Sequence, residues 1–150
     1  MSTESNLWTW LRRARDVFGP ALHIRRVENA ISTGDPDVEG QLLGEGQFNI
    51  ELKVAKRPKR ELTRLRFGHE VTQAQVEWAD DRLEAGGACA FLIAVGGPFD
   101  GGRAIYLLHG IYAEELVGGV TEQWLKEHAL QCNRPEEVVR LAPHQTKVNP

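Results

Sequence analysis

The chain has 150 residues, 41% hydrophobic and 26% charged, which suits one globular domain and excludes wholesale disorder. Its 18 basic and 21 acidic side chains give a net charge of -3, which excludes nucleic-acid binding through bulk positive charge but leaves room for a local basic patch. No apolar run approaches the roughly 20 residues that span a bilayer, no leader pattern opens the chain, and Cys89 and Cys132 lack CxxC spacing, so neither a disulfide framework nor a structural zinc site is expected and an intracellular, reducing compartment is.

In chain order, Leu7, Trp10, Leu11, Ala14, Val17 and Phe18 form one helical stripe, which predicts a helix capped by Asn6 and ended by Gly19-Pro20. Trp8 and Trp10 read as packing. Residues 22–31 read as strand or irregular chain, and Gly34-Asp35-Pro36 signals a turn. Asp37 to Leu43 reads as a strand, turned back at Gly44-Glu45-Gly46. Gln47 to Val54 alternates, with Phe48, Ile50, Leu52 and Val54 on one face and Asn49, Glu51 and Lys53 on the other. Ala55 to Val71 reads as a loop. A helix follows from Thr72 to about Ala85, with Thr72 and Gln75 spaced as a capping box and Val71 and Val76 as its hydrophobic staple. Cys89 to Val95 reads as a strand buried on both faces, Arg103 to Leu108 as another, Thr121 to Gln131 as a helix. Pro135 can start a short helix, and residues 143–150 read as a frayed tail. The order predicts an α/β fold, a central mixed sheet flanked by helices, in a single domain over residues 1–150.

Charge is uneven. From Lys53 to Arg66 there are seven cations (Lys53, Lys56, Arg57, Lys59, Arg60, Arg64 and Arg66) against one anion, Glu61. A run like this by itself suits a solvated face. Its neighbour makes it interesting. With Leu43 facing Gln47 across the turn, Asp37 faces Lys53 and Glu39 faces Glu51, and all four share one face of a hairpin. Asp37 and Glu51 then lie diagonally, with Cα atoms ~7–8 Å apart. Carboxylates this close need a neutralising partner, and a hard divalent cation with oxygen ligands is one. A metal, two acids and an ammonium suit phosphodiester hydrolysis. A polar, solvent-facing ribbon with cross-strand ion pairs is the competing reading.

The ordered set Arg26-Val27-Glu28-Asn29, Gly34-x-Pro36-Asp37-Val38, Ile50-Glu51-Leu52-Lys53, Gln75-x-x-Trp78 and Ala85-Gly86-Gly87 resembles the PD-(D/E)XK nuclease superfamily. It is most similar to small phage and bacterial members of the VRR-NUC and Holliday-junction-resolvase-like types. The resemblance covers residues 22–93 or so, the motif core of the domain, with a further helix and tail over about 120–150. It implies a restriction-endonuclease-like core, Mg²⁺ or Mn²⁺ as cofactor, and a cytoplasmic setting in a bacterium or phage-infected cell. By the same resemblance Asp37 and Glu51 are metal carboxylates, the Leu52 carbonyl is a possible third ligand, Glu28 is an additional upstream acid, Lys53 is the catalytic lysine and Gln75 orients the lysine or a water. A capping box also explains Gln75. Asp35 is a second acid in the turn, and Glu39 either joins the site or pairs with an arginine.

The function expected is a divalent-metal-dependent DNA endonuclease. Lys56, Arg57, Lys59, Arg60, Arg64 and Arg66 follow the site strand directly and are expected to hold backbone phosphates. No base-reading module is recognisable, which favours junctions or flaps over a sequence-specific site. Symmetric cutting of two strands calls for a homodimer. No organic cofactor and no membrane are expected. The alternative is a catalytically inactive subunit that keeps the fold for nucleic-acid binding or assembly.

Overall fold

The computed structural model describes residues 3–27 and 34–147. Glu28, the proposed upstream acid, lies outside them. The first helix forms in two pieces, α1 (Glu4–Arg12) and α2 (Arg15–Phe18). Its cap is Thr3, not Asn6: the Thr3 hydroxyl accepts the Asn6 N–H at 3.1 Å. A threonine hydroxyl that takes up a first-turn N–H three residues on is a standard cap. The stripe survives the break at Arg13, and Leu7, Leu11 and Ala14 are fully buried.

Six strands make one sheet in the order β1 (Leu22–Arg26), β2 (Val38–Leu42), β3 (Gly46–Ala55), β4 (Cys89–Val95), β5 (Ala104–His109) and β6 (Leu130–Gln131). All neighbours are antiparallel except β3 and β4, which run parallel and are joined through α3 (Gln73–Glu84). A parallel pair needs such a crossover, and the crossover covers a sheet face. The remaining helices are α4 (Ala113–Val117), α5 (Glu122–His128) and α6 (Pro135–Leu141).

Alternation along the strands supplies two cores. Phe48, Ile50 and Leu52 of β3 join Ala90, Leu92 and Ala94 of β4, under Leu7 and Leu11 of α1 and Val138 and Val139 of α6. Phe91, Ile93 and Val95 face the other way, with Val76, Ala79 and Leu83 of α3, Leu116 of α4 and Leu125 of α5. Helices therefore cover both faces. Every residue of β4 is buried, as its unbroken apolar run predicts.

Two expectations for the C-terminal part are corrected. The predicted helix to Gln131 ends at His128, and Leu130–Gln131 instead pair with Tyr106 and Leu107 of β5. The expected frayed tail is docked at least to Thr146. Pro143 is buried, the Cys89 N–H donates to the Gln145 carbonyl at 3.1 Å, and His109 Nε2 lies 3.0 Å from the Thr146 carbonyl.

Candidate active site

The hairpin of β2 and β3 keeps the predicted facing but not the predicted register. Leu42, rather than Leu43, starts the turn and pairs with Gly46, so Val38 faces Ile50 and Glu39 faces Asn49. The shift is two positions along the pair, and an even shift leaves every side chain on its own face. Asp37 stands just before β2 and does not face Lys53. Its Oδ2 accepts the Leu52 backbone N–H at 2.9 Å. Glu39 is drawn away by Arg25, its partner across β1, and forms an ion pair with it.

The site face of β3 is not a solvent-facing ribbon. Glu51 is 6% exposed and Lys53 only 1%. The sheet is covered there by Phe67, Val71 and Val76, which belong to the second core. Lys53 Nζ donates to the backbone carbonyls of His69 at 3.0 Å and Glu70 at 3.3 Å, so its charge is met by the end of the basic loop. Gln75 Nε2 donates to Glu51 Oε1 at 3.1 Å while its Oε1 accepts the Thr72 N–H at 3.1 Å. The capping box forms as expected, with Gln75 N–H on the Thr72 hydroxyl at 3.2 Å. One side chain thus closes the helix and reaches the site carboxyl. Gly34, with φ +99°, lets the turn before Asp37 rest on α3: a Cβ there would stand 2.5 Å from the Ala74 carbonyl oxygen.

Burial raises the Glu51 pKa, and a hydrogen bond with the Asp37 carboxyl and the negative charges of Asp37 and Glu4 raise it further, while Lys53 opposes the rise. The negative charge of Asp37 beside a buried Glu51 is one that a cation would offset. The donors are hard oxygens, which fits Mg²⁺ or Mn²⁺. Among the described residues no group of three or more His, Cys, Asp or Glu side chains stands ready to hold a metal ion. Asp37 and Glu51 would be the protein carboxylates, and such ions commonly take one or two of these and keep several waters.

Glu4 and His69 were not singled out from the sequence. Glu4, in the first turn of α1, bonds His69 Nδ1 at 3.0 Å and adds its field at Glu51. Nothing in the local pattern marks it, because it reaches the site across 47 positions of chain.

Of the six cations assigned to phosphate binding, Lys56, Lys59, Arg60, Arg64 and Arg66 are exposed. Arg57 is not available for that role. Its guanidinium donates to Glu122 Oε1 and Oε2 at 2.7 and 3.1 Å and to the carbonyls of Asp100, Gly102 and Val95 at 2.6, 2.5 and 3.3 Å. Tyr106 Oη adds a bond to Glu122 Oε2 at 2.7 Å. Arg57 is a structural tie between the basic loop, the loop over residues 96–102 and α5. Arg64 also gives Nη1 to the Gly118 carbonyl at 2.8 Å.

A cleft of about 870 Å³ opens between the basic loop and the loop over residues 96–100, and runs to Glu4 and His69. Asp37, Glu51 and Lys53 do not line it. Glu4, whose charge acts on Glu51, is on its lining. No helix among the described residues is long and apolar enough to cross a membrane. Comparison of the chain with protein-family models and with curated proteins returned no match.

Proposed function

We propose that the chain is a divalent-metal-dependent DNA endonuclease of the PD-(D/E)XK type, acting on branched DNA such as junctions or flaps. The observation that carries this reading is the convergence at β3 of Asp37, held on the Leu52 N–H, and Glu51, held by Gln75, with Lys53 two residues on along the same strand face. Asp37 is fixed by the Leu52 N–H and Glu51 by Gln75, so the two acids are positioned before any ion arrives. Mg²⁺ or Mn²⁺ held by these carboxylates would polarise a phosphate and acidify a bound water. Lys53 would offset charge at the phosphate, and Gln75 would orient Glu51. Lys56, Lys59, Arg60, Arg64 and Arg66 would supply phosphate contacts. Two-strand cutting would call for a homodimer.

The second reading, an inactive nuclease-fold subunit that binds nucleic acid or assembles, draws on one observation. Lys53 is almost fully buried and its ammonium is already engaged by two carbonyls. A panel of labelled DNAs (single strand, duplex, flap, splayed arm, four-way junction) incubated with Mg²⁺, Mn²⁺ or EDTA separates them. Metal-dependent cutting of a branched substrate, lost with Glu51→Ala, supports the enzyme. Binding without cutting in either metal supports the subunit.

A further inference from the structure

Phe99 is 98% exposed at the mouth of the cleft. It is presented there by a loop that is tied down on several sides. Asp100 Oδ1 accepts the Gly97 N–H at 2.5 Å and Oδ2 the Arg57 N–H at 2.8 Å, and the Gly102 N–H donates to the Gly97 carbonyl at 2.9 Å. Arg57 holds the same loop from beneath through the Asp100 and Gly102 carbonyls. An exposed aromatic ring on a held loop loses little conformational freedom when something stacks on it.

The cleft beside the ring has apolar walls from Val54, Pro58, Phe67 and Pro98, and exposed cations, Lys56 and Arg66, on its lining. Its carboxylates are Glu4, which bonds the exposed His69 ring, and Asp100, whose two oxygens accept the Gly97 and Arg57 N–H groups, so each already has a partner. The lining therefore offers cations and apolar surface together. A flat apolar body carrying an anion matches both, and an unpaired nucleotide is such a body. Duplex DNA is not, because its bases are stacked on one another and offer no face to a ring.

We propose that this cleft seats an unpaired nucleotide of a DNA strand, with Phe99 as its stacking platform and Lys56 and Arg66 on its phosphates. The inference rests on the nucleic-acid part of the reading above and specifies what in a branched substrate is recognised: the unpaired segment. It needs no cleavage.

The test measures binding in EDTA, with a labelled oligo-dT strand, a blunt duplex, and a flap carrying 2-aminopurine in its unpaired arm. Phe99→Ala is expected to weaken oligo-dT and flap binding at least about fivefold, the lower end for loss of one base–aromatic stack, and to leave the duplex within about twofold. Phe99→Trp restores affinity and quenches the 2-aminopurine. Lys56→Ala and Arg66→Ala instead reduce the salt slope on oligo-dT by about 0.7 each. An exposed ring carries no fold, so the thermal melt of Phe99→Ala stays that of the wild type.

Wild-type affinity of Phe99→Ala for oligo-dT, equal losses on all three DNAs, or a wild type that binds none of them overturns the proposal. A wild type that cuts flaps while Phe99→Ala binds them unchanged removes the stacking proposal alone. Phe99-dependent binding with no cutting in either metal removes the nuclease reading alone.

Discussion

Asp37 Oδ2 accepts the backbone N–H of Leu52, the residue between Glu51 and Lys53. The aspartate is thereby tied to the backbone of the strand that carries the other two site residues. Asp37→Ala and Glu51→Ala are each expected to lose Mn²⁺ binding in calorimetric titration together with cleavage. Asp37→Asn keeps an oxygen for the Leu52 bond and separates the two jobs: it should fold like the wild type and still lose the ion.

Lys53→Ala is expected to cost about 2–4 kcal/mol in chemical denaturation, since it empties a buried site and strips a donor from two carbonyls. Lys53→Met keeps the stem volume, so it is the cleaner variant for activity. It should abolish cleavage and leave Mn²⁺ binding intact or stronger, because a cation has gone from beside the ion. Wild-type cleavage by Lys53→Met would sink the enzyme reading.

Glu51 gives a pH-dependent stability with a definite sign. Its carboxyl would ionise near 4.5 in the unfolded chain but keeps its proton to about 10 in the fold. Across that window the native state binds more protons, so its stability is full at the acid end and falls as pH rises. Glu51→Gln does not titrate. In EDTA its melting temperature should exceed the wild type's by a margin that grows through about pH 5, 7 and 9. Added Mg²⁺ should raise the wild type more than the variant.

Gln75 has two bonds that substitutions can split. Gln75→Ala should cost ~1 kcal/mol through the cap and also release Glu51. Gln75→Glu can still accept the Thr72 N–H, but it sets another carboxyl against Glu51. It should keep the helix and shift the Mn²⁺ titration; a titration matching the wild type would leave Gln75 a cap alone.

Arg57 and its neighbours in sequence should respond differently to charge removal. Arg57→Ala is expected to destabilise by about 1–3 kcal/mol, because it leaves half-buried Glu122 and three carbonyls without their charged donor. Glu122 is held below the ordinary carboxylate range mainly by its bond to Arg57. That contribution is present above the ordinary range and lost as pH falls through the lowered value, so the gap between variant and wild type should narrow in acid. Neutralising Lys56, Lys59, Arg60 and Arg66 together should leave stability near the wild type's and shrink the duplex salt slope by ~0.9 per lost phosphate contact.

The sequence was most legible where one periodicity had one cause. The all-apolar Cys89–Val95 run is a strand to the residue, and Thr72 with Gln75 caps α3 as spaced. Parity placed Glu51 and Lys53 together on β3 even though the pairing slipped by two, because facing depends on odd and even and not on the partner. Burial was not legible. Alternation shows which side a residue takes, not whether a loop from Phe67 to Val71 will later cover that side. Arg57 looked like the cations around it, since its partners Asp100 and Glu122 lie 43 and 65 residues away. Leu130–Gln131 belong to the sheet through the neighbouring β5 rather than any strong pattern of their own.

The single parallel pairing in the sheet sets an order of assembly. Asp37 and Glu51 meet within a local hairpin, and such hairpins form in roughly 1–10 μs. The carbonyls that hold Lys53 and the glutamine that holds Glu51 belong to the crossover from Ala55 to Ala88 that joins β3 to the parallel β4. That closure is long and therefore slow. During refolding the two acids should be adjacent before anything steadies them, and a stopped-flow Mn²⁺ signal that waits for β4 would time the moment at which the pair becomes a site.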